Sequence, residues 1–163
     1  MPLDEATQRA VRGLWEVAVR NGRTPAPVPE ADPWEDDDPL DGDRAWVPVE
    51  VPGDPSLVVR LYRHGEDVVV VEDTVELDVP RRDTARVLEA LLTGAARRRH
   101  RARGLVGNLL GIVMHNPQPS DLVVTVHDDD PALAPRTYEA PIILATMTSG
   151  WLLGLPTAPD TGR

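Results

Sequence analysis

The residues best suited to chemistry in this chain are its histidines and aspartates, because it has no cysteine. That absence removes disulfides, thiolate metal sites and thiol nucleophiles together. The densest cluster of possible ligands is His127-Asp128-Asp129-Asp130. A hard cation needs several oxygens converging on one point. Adjacent residues on an extended chain point apart, and no second cluster completes a shell. The run therefore reads as a solvated turn after a strand, stopped by Pro131. His115 and Asp121 flank a five-residue turn and would face each other across a hairpin. A histidine held by a carboxylate belongs to nucleophilic catalysis, but the neighbouring Ser120 lacks the G-x-S-x-G elbow. There is no Gly-rich phosphate loop and no H-E-x-x-H. A hydrolase or metal enzyme around His115 and His127 ranks third among the functions considered. No cofactor, catalytic residue or metal ligand is assigned.

Arginine supplies the second kind of chemistry. Arg97, Arg98, Arg99, Arg101 and Arg103 form a dense basic cluster, and Arg81, Arg82 and Arg86 extend it in sequence. Guanidinium groups match phosphate oxygens two at a time, so a regulator binding nucleic acid or phosphate here is the alternative function. Two features oppose it. The net charge is −10, which disfavours generic polyanion binding, and only His100 interrupts the run, so no aromatic stacking platform is present.

Opposite in sign is the stretch 22–44. It contains Pro25, Pro27, Pro29, Pro33 and Pro39 with a run of acids that includes Glu35, Asp36, Asp37 and Asp38. Proline removes amide donors and the acids repel, so neither helix nor sheet is expected. Trp34 stands alone among these acids. Trp34 with Glu35, Asp36, Asp37 and Asp38 is the predicted partner-binding set, an apolar anchor beside charges that steer a basic partner.

The elements that must position these groups follow from periodicity. Leu3, Ala6, Ala10, Leu14, Val17 and Ala18 share one face of a helix over 3–21, widened by Val11 and Trp15. Asn21-Gly22 stops it. Val47, Val49 and Val51, then Leu57, Val59 and Leu61, then 68–71, then Val75, Leu77 and Val79 give strands with one buried face. Asp83 is the expected N-cap of a second helix over 83–101, with Val87, Leu88, Leu91 and Leu92 inward and the arginines at its end; Gly94 is a possible earlier break. Two strands, 109–115 and 122–127, come next, although Gly107 and Gly111 also suit a close helix contact for the first. A helix over 138–153 closes the fold, with Trp15 and Trp151 expected in the core.

The chain has 163 residues, enough for one domain with one core. With no Phe and two Tyr, that core is aliphatic, anchored by four Trp. The expected division is a helix at 1–21, an acidic arm or linker at 22–44, an α+β core at 45–155 and a tail at 156–163. Short connections imply antiparallel pairing. The expected fold is α+β, a twisted antiparallel sheet of five or six strands with helices on one face, in the order α-β-β-β(β)-α-β-β-α. That order is similar to the secretion-chaperone-like fold, a protein-binding module; the similarity is one of topology. No apolar stretch is long enough to span a bilayer and the N-terminus has no signal-type apolar region, so a cytoplasmic protein with no membrane partner is expected. The leading functional expectation is a non-enzymatic protein-binding module, such as an immunity protein, an adaptor or chaperone, or an accessory subunit of an assembly. Its partner would be another protein, basic or part of a larger complex.

Overall fold

A computed structural model of the chain describes residues 4–28, 46–101, 119–142 and 149–158. The class is α+β with antiparallel sheets, as the periodicity predicts. The described strands fall into two sheets rather than the single sheet of five or six expected. One has four strands in the order β1-β2-β3-β4, formed by Trp46–Val51, Leu57–Tyr62, Glu66–Val71 and Val75–Pro80. The other has three, in the order β5-β6-β7, formed by Arg97–His100, Ser120–Val126 and Arg136–Ile142. The sheets adjoin where β4 lies alongside β7.

Alternation sets the register of the first sheet. Leu57, Val59 and Leu61 are buried, as are Val75, Leu77 and Val79, while Glu76 and Asp78 face solvent. A slip of one residue would turn every one of these side chains to the wrong face. Glu72 and Asp73 close the β3–β4 hairpin at φ of 53° and 54°, the left-handed region that tight hairpins require. β1 is an edge strand. Pro48 lies opposite Arg60 and has no N–H to give, so the pair is of the non-hydrogen-bonded kind. The outward edge is covered in part by the Ala26 N–H, which donates to the Glu50 carbonyl at 2.9 Å. Proline and a covering segment both blunt an edge against further pairing.

Helix α1, Glu5–Arg20, begins where the Asp4 carboxylate accepts from the Thr7 N–H at 2.9 Å and from the Thr7 hydroxyl at 2.7 Å. It ends at Asn21 and Gly22, with Gly22 at φ 73° and the Arg23 N–H returning to the Ala18 carbonyl. Helix α2 spans Arg81–Leu92 and lies against β3, β4 and β6, so it bridges the seam between the sheets. α1 rests beside α2 and β1. One continuous core joins Leu14, Leu61, Leu77, Leu88, Leu91 and Leu122, all nearly or fully buried. Each such leucine contributes about 1.5–3 kcal/mol of burial.

Three expectations are corrected. The second helix does not run to Arg101: Gly94 takes φ 74° after the Thr93 cap, and the arginines that follow form β5. Its N-cap is Pro80, with no side-chain cap, so Asp83 sits inside the first turn. The region from Tyr138 is not a helix through Leu153. β7 carries it to Ile142, and a short helix, α3, Gly150–Gly154, follows after an interval outside the described residues. Pro141 explains the strand. It lies opposite Asp121, a position that again spends no N–H on the ladder, whereas in a helix interior it would cost a bond. The expected strand at 109–115 lies outside the described residues. Among those residues no helix is long and apolar enough to cross a membrane.

Candidate functional site

Among the described residues a cluster of buried polar groups gathers at the first turn of α2. Asp83 is fully buried there. Arg136 on β7 grips it with Nε to Oδ2 at 2.7 Å and Nη2 to Oδ1 at 2.6 Å, and the Tyr138 hydroxyl donates to Oδ2 at 2.6 Å. The same Arg136 Nη2 donates to Asp128 at 3.0 Å, and Arg86 reaches Asp128 at 3.5 Å and Asp129 at 2.7 Å. Burial pushes the Asp83 carboxyl up, but the hydrogen bonds from Arg136 and Tyr138, with the charges of Arg136 and Arg82, outweigh it and hold the acid below its ordinary value. Burial and the anionic Asp83 raise the Tyr138 phenol.

A second fork anchors the same turn to the other sheet. Asp67 on β3 is fully buried and accepts from Arg81 Nε at 2.6 Å, Arg81 Nη2 at 2.8 Å and the Thr84 hydroxyl at 2.8 Å. The Tyr62 N–H adds a fourth donor at 3.2 Å. Asp67 accepts from four donors and Asp83 from three, all on their own chain. A buried carboxylate so engaged has little capacity left for a ligand. These forks fix α2 on two sheets, a positioning role rather than a reactive one.

The sequence-predicted sites land elsewhere. Arg97, Arg98, Arg99 and Arg101 lie on or just after β5, not on a helix end. Arg97 donates to the Gly94 and Ala96 carbonyls, Arg99 pairs with Glu139, and Arg101 pairs with Asp121 at 2.7 Å. The hydrogen bond to Asp121 raises the Arg101 pKa. The Arg98 backbone is bound on its outer edge by Pro156 and Ala158. Arg103 lies outside the described residues, as do His115 and the whole set Trp34, Glu35, Asp36, Asp37 and Asp38. His127 is exposed. Among the described residues no group of three or more His, Asp or Glu is arranged to hold a metal ion. The expected solvated turn at 128–130 is only partly so: Asp129 and Asp130 are exposed, while Asp128 is half-buried in the Arg136 cluster.

A different surface is apolar and exposed. The inner face of α1 buries Thr7, Leu14, Val17 and Ala18. Trp15, expected in the core, is 36% exposed, and Val19 is 61% exposed. With the half-buried Val11 they form an apolar stripe at spacing four along the outer flank of the helix, rimmed by Arg12, Glu16 and Arg20. Trp46 is also exposed, at 42%, but the Arg60 guanidinium lies over its ring at 5.3 Å from the centroid. No family model, curated protein or solved structure matches this chain.

Proposed function

We propose that the chain is a non-enzymatic protein-binding module and that the outer flank of α1 is its docking surface. The observation that carries this reading is the exposure of Trp15 together with Val19 on a helix already anchored by its other face. A tryptophan held in place on a rigid element, ringed by charges, is the composition of an interface anchor. Two further features support the same reading. The buried Asp67 and Asp83 are engaged in structural forks, and of the described arginines in the predicted basic cluster Arg97 binds carbonyls while Arg99 and Arg101 pair with acids. The overall charge of −10 favours a basic partner through long-range attraction. Trp34 with Glu35, Asp36, Asp37 and Asp38 remains a proposed partner-binding set, Trp34 as apolar anchor and the acids as steering charges. The test uses the tagged chain as bait in native lysate beside its Trp15→Ala and Trp34→Ala variants. Proteins retained by the parent and lost from the Trp15 variant support the reading. An identical set on parent and Trp15 variant contradicts it.

A further inference from the structure

We propose that the occupant of the α1 flank is a second copy of this chain, packed antiparallel across a two-fold axis near Trp15. The proposal rests on the protein-binding reading above and names the partner of that surface. The exposed stripe is Val11, Trp15 and Val19, evenly spaced about its centre. Reversing the helix direction maps this pattern on itself. In an antiparallel pair centred on Trp15, each Val11 meets the other copy's Val19, and the two indoles lie side by side. A surface that is its own complement under a two-fold is what an isologous dimer requires.

The charges obey the same symmetry. Arg12 and Glu16 are exposed and flank Trp15 on the outward side of the stripe, and neither makes an ion pair among the described residues. Flanks of the same hand face each other in a two-fold antiparallel pair. Arg12 of one copy then lies about 3 Å along the axis from register with Glu16 of the other, within reach of its long side chain. The axis generates this pairing twice and one approach of the two Glu16 side chains at the same axial offset, so attractive pairs outnumber the repulsive one. One helix crossing is a small contact, below the usual size of a stable interface, so the dimer is expected to be concentration-dependent. The net negative charge of each copy opposes approach at long range, but α1 and its flanks carry Arg9, Arg12, Arg20 and Arg23 against Asp4, Glu5 and Glu16. Repulsion beyond about 8 Å is screened at physiological salt, so the local pairs decide the contact. Dimerisation would also double the acidic surface offered to a basic partner.

Sedimentation equilibrium of the full chain, carried to millimolar concentration, tests the assignment. The parent should move from monomer to dimer over that range. Val19→Asp, at a site too exposed to threaten the fold, and Glu16→Arg should each weaken association by roughly tenfold or more. Combining Arg12→Glu with Glu16→Arg should restore most of it, which a merely structural effect of either charge would not do. A parent that stays monomeric throughout overturns the second-copy assignment, as does a dimer untouched by Val19→Asp. If the parent is monomeric yet loses a co-purifying protein on Trp15→Ala, the docking surface stands with a different occupant. If it is monomeric and Trp15→Ala changes nothing in the bait experiment, both readings fall.

Discussion

Arg136 on β7 and Asp83 on α2 form a two-pronged ion pair at 2.7 and 2.6 Å, with the carboxylate fully buried and the arginine only partly so. The two residues are far apart in sequence, so the pair ties the α2 end of one sheet connection to the other sheet. Removing Arg136 leaves Asp83 fully buried with the Tyr138 hydroxyl as its one remaining close donor, which costs more than the pair itself is worth. Arg136→Ala should therefore destabilise the fold by about 3–5 kcal/mol in a denaturant titration. A loss of a few tenths would show that the fork is not needed to hold α2.

The same pair should shape the acid limb of stability. Asp83 titrates below its ordinary 3.8 in the folded chain, and Asp128 does so too, chiefly through its hydrogen bond from Arg136. The unfolded chain then takes up protons at a higher pH than the folded one, at about 3.9. The stability these groups add is full above that pH and is lost as pH falls through the lower, folded values. Stability of the parent should fall steeply below about pH 4, and Asp83→Asn should show a shallower fall in that window. Identical slopes for the two proteins would contradict the assignment.

Two forks on one turn should be coupled. Asp67 on β3 and Arg136 on β7 hold the same first turn of α2 from different sheets, through Arg81 and Asp83. Once one fork is lost, the turn can shift and the second is worth less. A double-mutant cycle with Asp67→Ala and Asp83→Ala should give a coupling above about 0.5 kcal/mol. Strict additivity would mean that the forks act independently.

Helix α2 should matter through its apolar face as well. Leu91 is fully buried in the core shared by both sheets. Leu91→Ala should cost about 2–5 kcal/mol, read as a lower denaturation midpoint with an unchanged slope. A smaller change would place the core elsewhere.

What the sequence made legible was whatever repeats. The alternation Leu57, Val59, Leu61 and Val75, Leu77, Val79 located β2 and β4, and Asn21-Gly22 marked the end of α1. What it hid was tertiary. A buried carboxylate has no local signature unless it stands in an apolar phase, and Asp67 does so, two residues before Val69 and four before Val71; that signal was there to be read. Asp83 looked like a cap because it follows Pro80, yet its partner Arg136 is chosen by the meeting of two sheets. The arginines after Gly94 resembled a helix terminus because glycine inside a helical pattern is tolerated, and only its φ decides that the helix stops. Tyr138, Ala140 and Ile142 alternate as a strand does, but Ile142 and Ile143 also suit a helix, and Pro141 had to be placed to choose. Trp15 was assigned inward because a helix face widened by one residue cannot be told from a second, outward stripe without knowing where the sheet lies.

The claim that the outer flank of α1 docks a protein can be tested at one residue, because the chain has no cysteine of its own. Val19→Cys and Asp78→Cys each place a single thiol at an exposed site, one on the stripe and one on β4. Each is labelled with a short photoactivatable cross-linker and irradiated in native lysate. The account predicts a discrete protein adduct from position 19, absent from position 78, whose mass identifies either a second copy or another partner. Equal cross-linking from both positions, or none from position 19, would contradict it.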